Sequence, residues 1–123
     1  MKAALSAYKE TSVLTVDSLS LVVMLYEEGI RYLKEALEAY EKKEYEKKAE
    51  RLIYGMEVIS ELLASLDLER GGEIAKNLRD IYTFMLRELL LFDAEEKPER
   101  IKSVIEMLQK LKEAFEEVKE RGS

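Results

Sequence analysis

The stretch "YEKKAERLIYGMEVISELLASL" (Tyr45–Leu66) reads as a helix by spacing alone. Tyr45, Ala49, Leu52, Met56, Ile59, Leu63 and Leu66 recur at alternating steps of four and three. Such steps place every member of the set on one stripe of a 3.6-residue helix. The positions between them are largely Glu, Lys, Arg and Ser. A helix with one apolar stripe and a charged back is stable in water only when the stripe is covered, most simply by other helices.

Three further segments supply matching stripes. Before it, Leu19, Val22, Tyr26, Ile30, Leu33, Leu37 and Tyr40 follow the same rule; after it come Ile74, Leu78, Ile81, Met85, Leu89 and Phe92, then Ile101, Val104, Leu108, Leu111, Phe115 and Val118. Asp17 and Ser18 precede the first run and can accept hydrogen bonds from its free N–H groups. Gly71 and Gly72 close the loop "LDLERGG", where left-handed geometry costs a glycine little. Pro98, the single proline, suits a first helical turn. The joint between the first two helices has neither Gly nor Pro, and the turn is placed near Lys43. Glu27–Arg31, Glu38–Lys42, Glu44–Lys48 and Glu106–Lys110 are i, i+4 pairs in the favourable order, each adding about 0.2–0.5 kcal/mol. The expectation is an all-α protein: an antiparallel four-helix bundle over residues 17–121, with helices at 18–42, 45–66, 72–92 and 98–120, preceded by a mobile N-terminal arm at 1–16. Buried stripe residues such as Leu63 and Leu108 should each cost about 2–5 kcal/mol when cut to alanine.

Composition narrows the function. The 123 residues carry a net charge of −6, and no segment is appreciably basic, so a surface that tracks phosphates is not expected and nucleic acid is a poor partner. There is no Cys, which excludes disulfides, thiolate metal sites and cysteine catalysis. There is no His, so no imidazole base and no Glu-x-x-His metal motif exists. Glu35, Glu38 and Glu41 have the Glu-x-x-Glu spacing of some carboxylate-only Mg²⁺ hydrolases, but their helical phase turns them toward solvent. Gly71-Gly72 lacks the Lys-Ser/Thr of a phosphate loop. No cofactor, no metal and no enzyme activity is expected. No apolar run approaches the roughly 20 residues of a membrane span, and no signal peptide is apparent, so membrane insertion is not expected and the cytoplasm is the default compartment.

Two segments are more apolar than a bundle seam requires. In "SLSLVVMLY" (Ser18–Tyr26), Leu21 and Met24 point away from the Tyr26 stripe and Leu25 sits on its flank. In "FMLRELLLF" (Phe84–Phe92), Phe84, Leu90 and Leu91 fall outside the stripe of Met85 and Leu89. Such an excess is covered either by the arm, through Leu5, Tyr8, Val13 and Leu14, or by an apolar segment of a partner. The two combine if the arm is a weak cover, anchored by Tyr8, that a partner displaces.

Three stretches carry a family resemblance: "AYKETSVLT" (Ala7–Thr15), "LVVMLYEEGIRYL" (Leu21–Leu33) and "ISELLASLDLERGGEIAKNLRDIYTFMLREL" (Ile59–Leu89). In order and spacing they resemble the flagellar export chaperone family, FliS. The chain departs from that pattern in two places. It has no proline at the junction "TVDSLS", and it reads Tyr26-Glu27-Glu28-Gly29-Ile30 where the family commonly reads Tyr-Asp-Gly-Ala-Ile. The resemblance implies a cytoplasmic helical bundle that binds the C-terminal region of flagellin, prevents its premature polymerisation and presents it to components of the export gate. With the apolar excess, it singles out Tyr8, Val13, Leu14, Leu21, Met24, Leu25, Asn77, Tyr82, Phe84, Leu86 and Leu90 as partner-binding candidates. The competing readings are a helical adaptor for another amphipathic segment and, further off, the carboxylate-metal hydrolase.

Overall fold

A computed structural model of the chain describes residues 16–122, so residues 1–15 of the expected arm, Tyr8, Val13 and Leu14 among them, lie outside the described residues, and Val16 opens the first helix. The described residues form four helices: α1 (Val16–Glu41), α2 (Tyr45–Ala64), α3 (Gly72–Glu95) and α4 (Pro98–Gly122). Each helix packs along its neighbours in the chain, and α4 returns to α1, so α1 and α3 occupy opposite corners of an up-down-up-down bundle.

The loops follow from local chemistry. At the end of α1, the Glu44 N–H donates to the Ala39 carbonyl at 2.8 Å and the Lys43 N–H to the Tyr40 carbonyl at 3.1 Å. That pair is a Schellman motif, and its left-handed position is filled by Lys43, at φ 61°. The sequence offers no glycine there, yet the turn falls at the position expected. A Cβ in the left-handed region is strained, so Lys43→Gly is predicted to stabilise the bundle by about 0.5–1 kcal/mol. A denaturant midpoint that fails to rise would show that this turn is not left-handed in solution. Between α2 and α3, the Asp67 carboxylate accepts from the Glu69 and Arg70 N–H groups at 3.2 and 3.1 Å, and Gly72 takes φ 57°. At the far end, the Tyr40 hydroxyl donates to the Glu96 carbonyl at 3.0 Å, fastening α1 to the end of α3.

The core follows the expected stripes over the first part of α1 and of α4, while Leu37, Tyr40, Leu111 and Phe115 are half-buried and Val118 is exposed. Leu19, Val22, Tyr26, Ile30 and Leu33 are buried, as are Ile101, Val104 and Leu108. Across the bundle centre, the Tyr26 and Tyr82 hydroxyls share a hydrogen bond of 2.6 Å, tying the diagonal helices. The stripe of α2 is rotated from the one its spacing predicts. Lys48, Leu52, Gly55, Val58, Ile59 and Leu62 face inward, Tyr45 and Ala49 are exposed, and Met56 and Leu63 are half-buried. Gly55 is the cause: a Cβ there would lie 2.5 Å from Leu33 Cδ2, so the glycine lets α2 press its Gly55–Val58 side onto α1. Leu63 is therefore a flank residue, and the cavity cost expected there belongs to Leu62 and Ile59. In α3, Ala75 and Tyr82 face inward, while Ile74 is exposed at the helix start.

Lys48 does not take its expected i, i+4 partner. Its stem is buried, its ammonium reaches Asp93 at 2.6 Å and sits 5.7 Å from the centroid of the Phe92 ring. A buried ammonium needs such a partner, and the pair ties α2 to α3. Of the other expected pairs, Glu38–Lys42 (2.7 Å) and Glu106–Lys110 (3.2 Å) form, and Arg31 turns to Glu35 at 3.8 Å. The Lys42 hydrogen bond and charge hold the Glu38 carboxyl below its ordinary value and raise Lys42.

Candidate functional site

A cleft of about 630 Å³ lies between α1 and α4, lined mostly by charged residues: Glu27, Arg31, Lys34, Glu35, Glu38, Lys112 and Glu113 among others. Arg31 pairs with Glu35, and Lys112 with Glu27 at 4.0 Å, so its charges largely answer one another. Among the described residues no three acidic side chains are gathered closely enough to hold a metal ion.

The apolar surface runs along α3 on both sides. Two ion pairs fix which side faces which neighbour: Asp93 reaches Lys48 of α2, and Glu88 accepts from Arg100 of α4 at 2.8 Å. On the helical wheel, Leu86 and Leu90 lie within roughly 60° of Asp93, on the α2 side. Asn77, Ile81, Phe84 and Leu91 lie within roughly 60° of Glu88, on the α4 side. Leu90 is 60% exposed and Phe84 47% exposed; Leu86, Ile81 and Leu91 are half-buried.

Each neighbour adds apolar groups to these flanks. On α2, Arg51 and Tyr54 face α1, through Glu35 and Tyr32, while Met56 and Leu63 lie within roughly 80° of Lys48 on the flank toward α3, with Ile53 farther out on that flank at roughly 140°. Ile53 is exposed, and Met56 and Leu63 are half-buried. On α4, Met107, Leu111 and Val118 share the phase of Arg100 to within roughly 20° and so face α3. Val118 is exposed and the other two are half-buried. Two apolar strips thus flank one helix. Ile53 and Met107 were not among the residues singled out from the sequence, and Val118 was read there as part of the buried stripe of α4, whereas it is exposed. The signal was in the sequence and was passed over: Ile53 lies outside the stripe read on α2, and Met107 outside the one read on α4.

The structure sorts the other sequence candidates. Leu25 and Tyr82, named above as partner-binding candidates, lie in the buried core cluster, where the Tyr82 hydroxyl shares a hydrogen bond with that of Tyr26. Leu25 lies at the edge of the α1 stripe, where the packing of two neighbouring helices covers a flank as well as the centre. Asn77 is exposed on the α4 side of α3. Met24 is exposed and Leu21 half-buried on the outer face of α1, at the corner diagonal to α3. The structure therefore does not join the two apolar excesses into one patch. Gly29 is buried; a Cβ there would meet Val58 Cγ1 at 3.5 Å and Leu108 Cδ1 at 3.7 Å, so it shapes the core and lines no groove.

With this geometry in place, comparison with known proteins is specific. The family model described as "Flagellar protein FliS" matches residues 1–122. The chain is 31% identical over 122 residues to a flagellar secretion chaperone FliS of Vibrio cholerae, covering 96% of this chain and 90% of that protein. It is 30% identical over 124 residues to the flagellar secretion chaperone FliS of Salmonella typhimurium, covering 100% of this chain and 92% of that one. A third such chaperone, from Campylobacter jejuni, is 31% identical over 115 residues.

Proposed function

From the premise that this chain belongs to the FliS family of flagellar secretion chaperones, we propose that it binds the C-terminal segment of flagellin in the cytoplasm and holds it unpolymerised until export. The observation that carries this reading is the pair of apolar strips flanking α3, with Leu90 and Phe84 exposed on opposite sides of one helix. A segment destined to pack its apolar face against neighbouring subunits in a filament needs an equivalent face in the meantime. A helical piece laid along α3 meets alternating apolar side chains at helical spacing, which is helix-in-groove docking. Two strips allow two such pieces, joined by an extended stretch. The client orders as it binds, so part of the interaction energy is lost to its entropy and the interface must be large to hold it.

The role requires no bond to be made or broken, and none is assigned. Presentation to the export gate follows from the same reading, since the client's remaining domains stay free of the bundle. Among the described residues no helix is long and apolar enough to cross a membrane.

The test is calorimetry of the whole chain against full-length flagellin and flagellin lacking its C-terminal segment. Binding to the first and none to the second is the expected result, with a negative heat-capacity change from apolar burial. Equal binding to both would overturn the reading in favour of an adaptor for another segment.

A further inference from the structure

A second surface lies on the far side of the bundle from the α3–α4 strip. Between α1 and α2 a notch of about 90 Å³ is lined by Tyr32, Tyr54, Val58, Glu28, Glu57 and Glu61. The two tyrosine rings stand 5.4 Å apart, tilted by 57°, and form an aromatic wall; Tyr54 is 39% exposed. The three glutamates form an acidic rim, and none of them has an ion-pair partner among the described residues. By contrast, Glu35, Glu38, Glu88 and Glu95 each face a Lys or Arg.

The chemistry of this notch is selective. Its carboxylates are not gathered closely enough for a metal ion. Unpaired negative charge around aromatic rings suits a larger cation, because ring faces and carboxylates both attract it. The protein already supplies one instance: the Arg31 guanidinium lies 4.5 Å from the Tyr32 ring centroid, at the margin of the same surface. The notch is small and open on one side, with room for one guanidinium or ammonium head. Beside it, Met24, exposed one turn before Glu28 on α1, offers an apolar contact. An amphipathic segment with a basic residue flanked by an apolar one complements this face in both charge and hydropathy.

We propose that the Tyr32–Tyr54 notch, rimmed by Glu28, Glu57 and Glu61, docks an arginine or lysine side chain from a basic segment of a second protein. This site is separate from the flanks of α3, so client and second partner can be held together. The proposal stands whether or not the client is flagellin.

The experiment is an NMR titration of the isotope-labelled whole chain with N-acetyl-arginine methylamide. Its uncharged near-isostere, N-acetyl-citrulline methylamide, serves as the control. The arginine compound should shift the Tyr32 and Tyr54 ring signals and the Glu57 and Glu61 amides saturably, and the citrulline compound should not. Glu57→Gln/Glu61→Gln changes only exposed carboxylates and is expected to leave the thermal midpoint in place while weakening this binding roughly tenfold. Glu73→Gln, at the start of α3, should leave it unchanged. Shifts spread evenly over the acidic surface, equal response to both compounds, or undiminished binding by the double variant would each overturn the proposal. Loss of flagellin binding by the same double variant would overturn the separation of the two sites and leave the α3 reading to be judged by its own variants.

Discussion

Phe92→Ala is expected to destabilise the bundle by about 3–5 kcal/mol, the largest loss predicted for a single substitution here. Phe92 is 1% exposed, its ring meets the Tyr40 ring edge-on at 5.3 Å, and Lys48 lies against its face. Removing the ring leaves a cavity at the point where α1, α2 and α3 converge, and strips the buried Lys48 stem of a neighbour. Leu108→Ala, fully buried on α4, should cost about 2–5 kcal/mol by cavity formation alone. Leu63→Ala should cost distinctly less, because Leu63 is a half-buried flank residue. Urea denaturation of the three variants beside the parent gives the ranking. A Leu63→Ala loss equal to that of Leu108→Ala would contradict the rotated stripe of α2.

Leu90→Ser is expected to lower affinity for the flagellin C-terminal segment at least tenfold, with a stability change within about 0.5 kcal/mol. The two effects separate because Leu90 is 60% exposed, and the proposed docking would cover it with the client alone. Ile53→Ser, across the same strip, should behave alike, and Phe84→Ser should weaken the strip on the α4 side. Met24→Ser, at the diagonal corner, should leave client affinity near that of the parent. Calorimetric affinities paired with thermal midpoints distinguish lost binding from lost folding. A Leu90→Ser variant that is fully folded and binds normally would remove the α2-side strip from the site.

The helices and their order were legible in the sequence because the apolar steps of three and four are nearly unbroken. The turn at Lys43 was legible only as an interruption, since its left-handed residue is a lysine and not a glycine. The facing of α2 was not legible. A stripe read by spacing centres on the most apolar positions, whereas Gly55 lets the backbone come close and turns a different side inward. Lys48 was hidden for a related reason: a charged residue reads as surface until its partner, forty-five residues away in Asp93, is seen.

The site was legible in its chemistry and only partly in its geometry. Too much apolar surface on α3 was readable, and Phe84 and Leu90 are exposed as their phase implies. Their assignment to opposite sides of α3 needed the ion pairs of Asp93 and Glu88. Leu25 could not be told from a surface residue by phase, because the width of a buried stripe depends on how many neighbours a helix has; Tyr82 lies within about 40° of Leu78 and Leu89 and was named only through the resemblance. The Tyr32–Tyr54 notch carried no sequence signal, since its two halves come from different helices.

The central claim is that the client lies along the two flanks of α3. Methyl NMR of the whole chain, titrated with the isolated C-terminal segment of flagellin, tests it most directly. Signals of Ile53, Leu86 and Leu90 on one side, and of Ile81, Met107 and Val118 on the other, should shift and saturate together, while the Met24 methyl stays in place. A saturating shift at Met24 with the α3 flanks unmoved would contradict the account.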